Sequence, residues 1–371
     1  MIKYLLGSSM QKLKNVEFIR TFLILTIILL HMLINRGWSL PTLYPDINLY
    51  SFLHKATVYA NCSVEGFFIV AGFLLVWTFN RETSILDFIK KKYIRLSPVI
   101  AFSVLVVILG SICKIVSFKP IPDILSVLLL NNFGICWVIP DNPVLWFISA
   151  LFGCLVLYFC IIKFFSKKQI WIITSLVILG YLLLEILQGG RFSHPLQNYY
   201  GFLNIGFLRA IGGIGIGCLL GLVYKNNKDK IQNYEPAKIT KIMITVPEVL
   251  SFVFLLWWTL IPHSFLNNIY FVVNFVLLFS LFVIKKGYFS NMVDSDVWVF
   301  CGKYQYSLFV IHYVVIKFFG YGLWKNSPEF VIACPLLPVF IMFAVILILG
   351  VFTYHFVEEP CAYKLRHKFL K

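Results

Sequence analysis

Acidic residues are scarce in this chain. Asp and Glu together number 16 against 32 Lys and Arg in 371 residues, and charged residues of both signs make up only 13% of the sequence. A chain this poor in charge cannot cover a water-soluble globule of its size. Long polar linkers are also missing. No stretch between apolar runs exceeds about 25 residues and no internal repeat is evident, which leaves no room for a separate soluble domain. The nine cysteines are scattered, mostly in apolar runs, with no CxxC or Cys/His spacing. This argues against a metal site, so no metal is expected, and the cysteines read as small core residues. No cleavable signal peptide is visible, because the first apolar run is too long for an h-region and no small-residue cleavage site follows it. The first helix is expected to act as its own insertion signal.

What is abundant is apolar surface, at 60% hydrophobic residues and a mean hydropathy of +0.86. Runs long enough to cross about 30 Å of hydrocarbon lie near Val16–Ile34, Val58–Phe79, Pro98–Phe118, Val144–Phe165, Ile170–Leu187, Phe202–Tyr224, Ile244–Ile261, Leu266–Ile284, Trp298–Phe319 and Val331–Val357. The expected fold is all-α, a polytopic membrane protein with a bundle of about ten transmembrane helices, forming one integral membrane domain over residues 1–371. The segment Ile124–Ile139, broken by Asn131, Asn132 and Gly134, is too short to span comfortably and reads as interfacial or re-entrant.

The net charge of +16 does not mark a nucleic-acid binder, because the basic residues sit in short clusters between apolar runs. With the N-terminus inside, 24 of the 32 basic residues fall at inner positions, as the positive-inside rule requires. Residues 1–15 are then a cytoplasmic N-terminal segment and 359–371 a cytoplasmic basic tail, with both termini inside.

Ionisable residues within membrane helices cost about 2.5 to 3.5 kcal/mol each at mid-bilayer, so each needs a reason. On helix one, Glu17, Arg20 and His31 share a face, because the eleven residues from Arg20 to His31 bring the helix back to within about 20° of its start. Glu65, counted inward from the outer end of helix two, lies about 10 Å deep, near the depth of His31. A Glu65–His31 pair would fix the tautomer and stabilise the imidazolium of a general base. Lys91, Lys92 and Arg95 lie at the inner surface on one face of helix three, where with Arg20 they could bind the phosphates of a nucleotide-containing donor. Ala71 and Gly72 leave room for a helix or a thin acyl chain. The run Gly212-Gly-Ile-Gly-Ile-Gly217 lies inside helix six with no strand before it, so it reads as close helix packing rather than a phosphate loop. His312 and Glu358 are further candidates near the C-terminus.

These segments together resemble the membrane-bound acyltransferase family 3, the O-acyltransferases of bacterial surface polysaccharides. The resemblance rests on Glu17-Phe-Ile-Arg20 followed by His31, on Val64-Glu-Gly-Phe-Phe-Ile-Val-Ala-Gly-Phe-Leu74 and on Lys91-Lys92-Tyr-Ile-Arg95-Leu-Ser-Pro98. It continues through Leu145-Trp-Phe-Ile148, Tyr306-Ser-Leu-Phe-Val-Ile-His312 and Val357-Glu-Glu-Pro360, in that order. Two positions depart from the pattern: Ala71 replaces the usual serine, and Lys92 the first arginine of the basic motif. The second change keeps the charge but loses the bidentate fork, so phosphate contact leans on Arg95. The resemblance implies acyl transfer, most commonly of acetyl, from cytoplasmic acyl-CoA to a hydroxyl of a surface glycan or lipid-linked sugar, at the bacterial inner membrane. No permanently bound cofactor is implied, since acetyl-CoA is a substrate. In that reading His31 is the general base or transient acyl carrier and Glu65 its orienting partner. Arg20, Lys92 and Arg95 bind the donor, while Glu17, Trp146, His312 and Glu358 are acceptor-side or supporting residues. The same helices also suit a transporter or flippase of a polysaccharide pathway, with Glu65, His31 and Arg20 along a proton or substrate path.

Overall fold

The computed structural model describes residues 13–34, 40–114, 116, 118–136, 138–192, 198–200, 203–262 and 267–369. Each of the ten apolar runs contains one principal helix. These are α1 (Lys14–Leu33), α2 (Ser63–Trp77), α3 (Ile85–Ile112), α4 (Trp146–Phe164), α5 (Gln169–Gln188), α6 (Ile205–Asn233), α7 (Lys238–Leu260), α8 (Ile269–Ile284), α9 (Gln305–Phe318) and α10 (Leu336–Thr353). They are not ten equal spans. Among the described residues eight helical stretches are long and apolar enough to cross a membrane, or nine if the bent pair formed by the short helix Asp296–Gly302 and α9, at 49° to each other, is one span. The 16 residues of α8 rise only about 24 Å, short of a full hydrocarbon core. The chain is an integral membrane protein built as an all-α polytopic bundle. A short antiparallel ribbon, Asn198–Tyr200 with Leu203–Asn204, precedes α6.

Local signals start the helices that shape the interior. The Ser84 hydroxyl accepts from Asp87 N at 3.0 Å and caps α3, and the Asn204 side chain accepts from Phe207 N at 2.9 Å and caps α6. Helix α5 ends at Gly189, whose φ of 58° is the left-handed turn glycine favours. The peripheral helices α5 and α7 leave large side chains such as Trp171, Ile178, Met243 and Leu250 uncovered, and in a bilayer these face lipid.

Helices α2 and α6 touch along their backbones. A Cβ added at Gly72 would strike the carbonyl oxygen of Ile214, and one at Gly217 that of Ile69. Only glycine permits this approach, and the Cys218 thiol reaches the Gly72 carbonyl at 3.5 Å across the seam. The glycine run of α6 is therefore a packing surface inside a helix, as its context in the sequence indicates. Buried apolar side chains form two principal clusters, one containing Ile28, Phe68, Phe147, Phe309 and Tyr313 and the other Leu23, Phe73, Phe275, Phe279 and Trp258.

The segment between α3 and α4 enters the protein interior. It forms the short helix Pro120–Val127, turns at Leu129 (φ 62°) and Gly134 (φ 72°), and buries Asp123, Ser126, Asn131 and Asn132. Its polar side chains face protein, while Ile121, Ile124, Ile135, Val138 and Ile139 stay exposed on its other side.

Candidate active site

One cavity of about 180 Å³ opens between α1, α2, α3, α4 and α9. Its polar wall is made by Arg20 of α1, Lys92 and Arg95 of α3, and Gln305 and Tyr306 at the start of α9. Its apolar wall includes Phe67, Ala71, Phe147, Ile148 and Phe309. The sequence places Lys92 and Arg95 three apart, so α3 turns both toward the same space. Hydrogen bonds fix the frame around it. Tyr306 donates to the Leu96 carbonyl at 2.5 Å, and Gln305 donates to Thr21 Oγ1 at 2.9 Å, joining α9 to α3 and α1.

The three cations of this cavity are not equivalent. Arg20 pairs with Glu17 of its own helix at 2.8 Å. Lys92 lies 5.4 Å from the Phe88 ring centroid, and among the described residues no acid stands within ion-pair distance of Lys92 or Arg95. Glu358 acts electrostatically on this end of the bundle but is itself buried, and its carboxylate accepts from the Ser307 hydroxyl at 2.6 Å. Ala71, where a serine is usual in the resembled pattern, contributes a small apolar spot to the cavity wall.

His31 lies at the opposite end of α1, about 16 Å along the axis from Arg20. Its nearest described polar neighbour from another helix is His312 of α9, with Nδ1 of His31 3.1 Å from Nε2 of His312. His31 Nδ1 also lies 3.0 Å from the Ile27 carbonyl. His312 is fully buried, and its Nδ1 faces the Phe309 carbonyl at 2.7 Å and the Leu308 carbonyl at 3.3 Å. Phe309 belongs both to the cavity wall and to the packing around His312, with ring centroids 5.8 Å apart. The Phe309 side chain thus links the wall of the basic cavity to the histidine pair.

The expected pairing of Glu65 with His31 is overturned. Both carboxylate oxygens of Glu65 are taken by Arg209 of α6, at 2.5 Å from Nε and 2.8 Å from Nη2. Depth along two antiparallel helices fixes only an axial coordinate, and Glu65 points around the helix toward α6. Arg209 also donates to the Phe192 and Asn61 carbonyls, each at 3.0 Å, and its guanidinium lies over the Trp146 ring at 5.1 Å. Trp146 is therefore spent on this buried pair and is not part of the cavity wall, unlike its neighbours Phe147 and Ile148. Arg209 carried a sequence signal, an arginine inside an apolar helix, but nothing in the sequence named its partner.

A second buried polar group lies one to two turns beyond His312. Lys317 donates to Asp141 at 2.7 Å, and Asp123 accepts from the Asp141 backbone N–H at 3.0 Å. Burial first, and then the neighbouring Asp141 charge, push the Asp123 carboxyl up to about 6. Among the described residues no group of three or more His, Cys, Asp or Glu side chains is arranged to hold a metal ion.

The histidine pair and the basic cavity sit on the segments that carry the resemblance, in a chain of the expected architecture. Comparison with curated proteins and with solved structures gives no match. A family model described as an acyltransferase domain matches residues 13–355, nearly the whole chain. The chain belongs to acyltransferase family 3, and it is a membrane acyltransferase.

Proposed function

We propose that this protein transfers an acyl group, acetyl in the first instance, from cytoplasmic acyl-CoA to a hydroxyl of a surface glycan or lipid-linked sugar across the bacterial inner membrane. The observation that carries this reading is the pair Lys92 and Arg95, two cations turned into one cavity with no acid in ion-pair distance among the described residues. Cations without a close ion-pair partner beside apolar walls favour a polyanion with an apolar extension. A coenzyme A thioester has that form, with phosphates for Arg95, Lys92 and Arg20 and a slender arm for the passage beside Ala71 and Phe147. The positive-inside pattern supports a cytoplasmic location for this end and for both termini.

His31 then stands where the arm would deliver its thioester. The unprotonated ring nitrogen takes the proton from the acceptor hydroxyl as that oxygen bonds to the thioester carbonyl carbon. The tetrahedral adduct collapses, the carbon–sulfur bond breaks, and the thiolate takes the proton from the imidazolium. Ester and free thiol leave, and His31 returns to its neutral form. Membership of an acyltransferase family weighs against the transporter reading of the same helices.

The test is transfer of label from radiolabelled acetyl-CoA to a lipid-linked oligosaccharide by purified protein in vesicles. His31→Ala is expected to abolish transfer while the protein elutes as a folded species. Undiminished transfer by that variant would overturn the mechanism.

A further inference from the structure

The contacts of His31 and His312 decide where the ring protons sit. His312 Nδ1 faces two carbonyl oxygens, at 2.7 Å and 3.3 Å. A carbonyl can only accept, so this nitrogen carries the proton of the neutral ring and Nε2 carries the lone pair. That lone pair points at His31 Nδ1, 3.1 Å away. A second neighbour of His31 Nδ1, the Ile27 carbonyl at 3.0 Å, is also an acceptor. Both contacts demand a proton on His31 Nδ1. The reverse arrangement would make His312 an imidazolium inside the bundle, with no acid among its contacts and with a His31 lone pair set against the Ile27 carbonyl. Glu65, the carboxylate expected beside His31 from its depth, is committed to Arg209.

We propose that His312 is a positioning residue that fixes the tautomer of His31, so that Nδ1 holds the proton and Nε2 is the basic nitrogen offered to the acceptor hydroxyl. Ile27 alone does this weakly, since its carbonyl already accepts the α1 backbone bond from His31 N–H. His312 supplies an acceptor of its own, held in line by Phe309 and Leu308. The same lone pair stabilises the imidazolium formed when Nε2 takes up a proton. Histidine thereby fills the place that a carboxylate fills in other histidine-based sites. It does so without adding a charge to the membrane interior. This rests on the reading of His31 as general base, and its test has a readout that does not depend on activity.

The experiment is 15N NMR of histidine-labelled protein in detergent, with His31→Asn used to assign the His31 signals, alongside steady-state transfer kinetics. The wild type is expected to show His31 with its proton on Nδ1. His312→Leu is expected to populate the Nε2–H form and to lower kcat by about tenfold or more, with KM for acetyl-CoA unchanged. His312→Gln places an amide oxygen near the lost Nε2, so it is expected to keep the Nδ1–H form and recover most of kcat. A wild-type Nε2–H tautomer, a His31 tautomer unmoved in folded His312→Leu, or a Gln variant as impaired as the Leu variant would each overturn the proposal. Failure of the transfer reading shows separately, as activity retained in His31→Ala, and leaves the tautomer measured by NMR unaffected.

Discussion

Replacing Glu65 with Leu would strand the Arg209 guanidinium in the bundle interior with two carbonyls and an aromatic face but no counter-charge. The wild-type pair closes two short bonds, at 2.5 Å and 2.8 Å, between side chains that are 0% and 2% exposed. Breaking a buried pair from one side costs about 3–5 kcal/mol, mostly because the surviving charge is left desolvated. With an unfolding entropy that grows with chain length, that cost corresponds to a fall in Tm of about 4–6 °C for a chain of this size. Arg209→Met should cost a similar amount by orphaning Glu65. The double variant Glu65→Leu with Arg209→Met removes both charges and should recover more than half of the single-variant loss. The assay is thermal unfolding of the purified protein in one detergent at fixed scan rate, with the four proteins compared as a double-mutant cycle. Additive losses, or single variants within about 1 °C of wild type, would refute the reasoning that the pair is a desolvated clamp.

The remaining predictions concern the cavity, the seam and the buried acids. Arg95→Ala should raise KM for acetyl-CoA by about 10- to 100-fold, the loss of one charge-assisted contact, with a smaller effect for Lys92→Arg; an unchanged KM would remove Arg95 from the donor site. Gly217→Ala should abolish folded protein or sharply lower its yield, because the new methyl group meets the Ile69 carbonyl. Gly180→Ala, whose Cβ would sit 3.2 Å from the Leu208 carbonyl, should be far milder, and equal expression of both variants would contradict the packing described. The Asp123 carboxyl is raised from 3.8 to about 6 by burial and by Asp141, so the folded state binds this proton more tightly than the unfolded one. Its contribution to stability is full below the unfolded value and declines as pH rises through about 6. Tm of the wild type minus that of Asp123→Asn should therefore fall between about pH 4 and pH 6; a flat difference would show that Asp123 does not titrate in that window.

The helices were legible because a membrane segment must be apolar over its whole length, and each apolar run contains one. The cluster of Arg20, Lys92 and Arg95 was legible for a related reason: charges near the ends of neighbouring spans share a depth, and spacing along one helix fixes their face. Partners across the bundle were not. Glu65 and Arg209 are 144 residues apart and His31 and His312 are 281 apart. Which helix lies beside which is set by side-chain packing summed over the bundle, and hydropathy carries none of that. The resemblance named His312 as a participant, but only geometry revealed that it faces His31 and that Glu65 does not. The glycine run in α6 and Gly72 on α2 were each legible as places of close approach, while their meeting was not.

Backbones that meet without intervening side chains have no clearance. Turning α6 past α2 by one residue, a rotation of about 100° with a rise of about 1.5 Å, would carry Ile216 into the place of Gly217, so the two helices move as a single post. Any motion that widens the cavity must then fall to its other walls, α1, α3, α4 and α9. Among them are the helices that bear Arg20, Lys92, Arg95 and both histidines. In mechanical terms the protein has a fixed spine and a working jaw, and a substitution that loosens the spine should blur the alignment of the jaw without touching any residue that meets substrate.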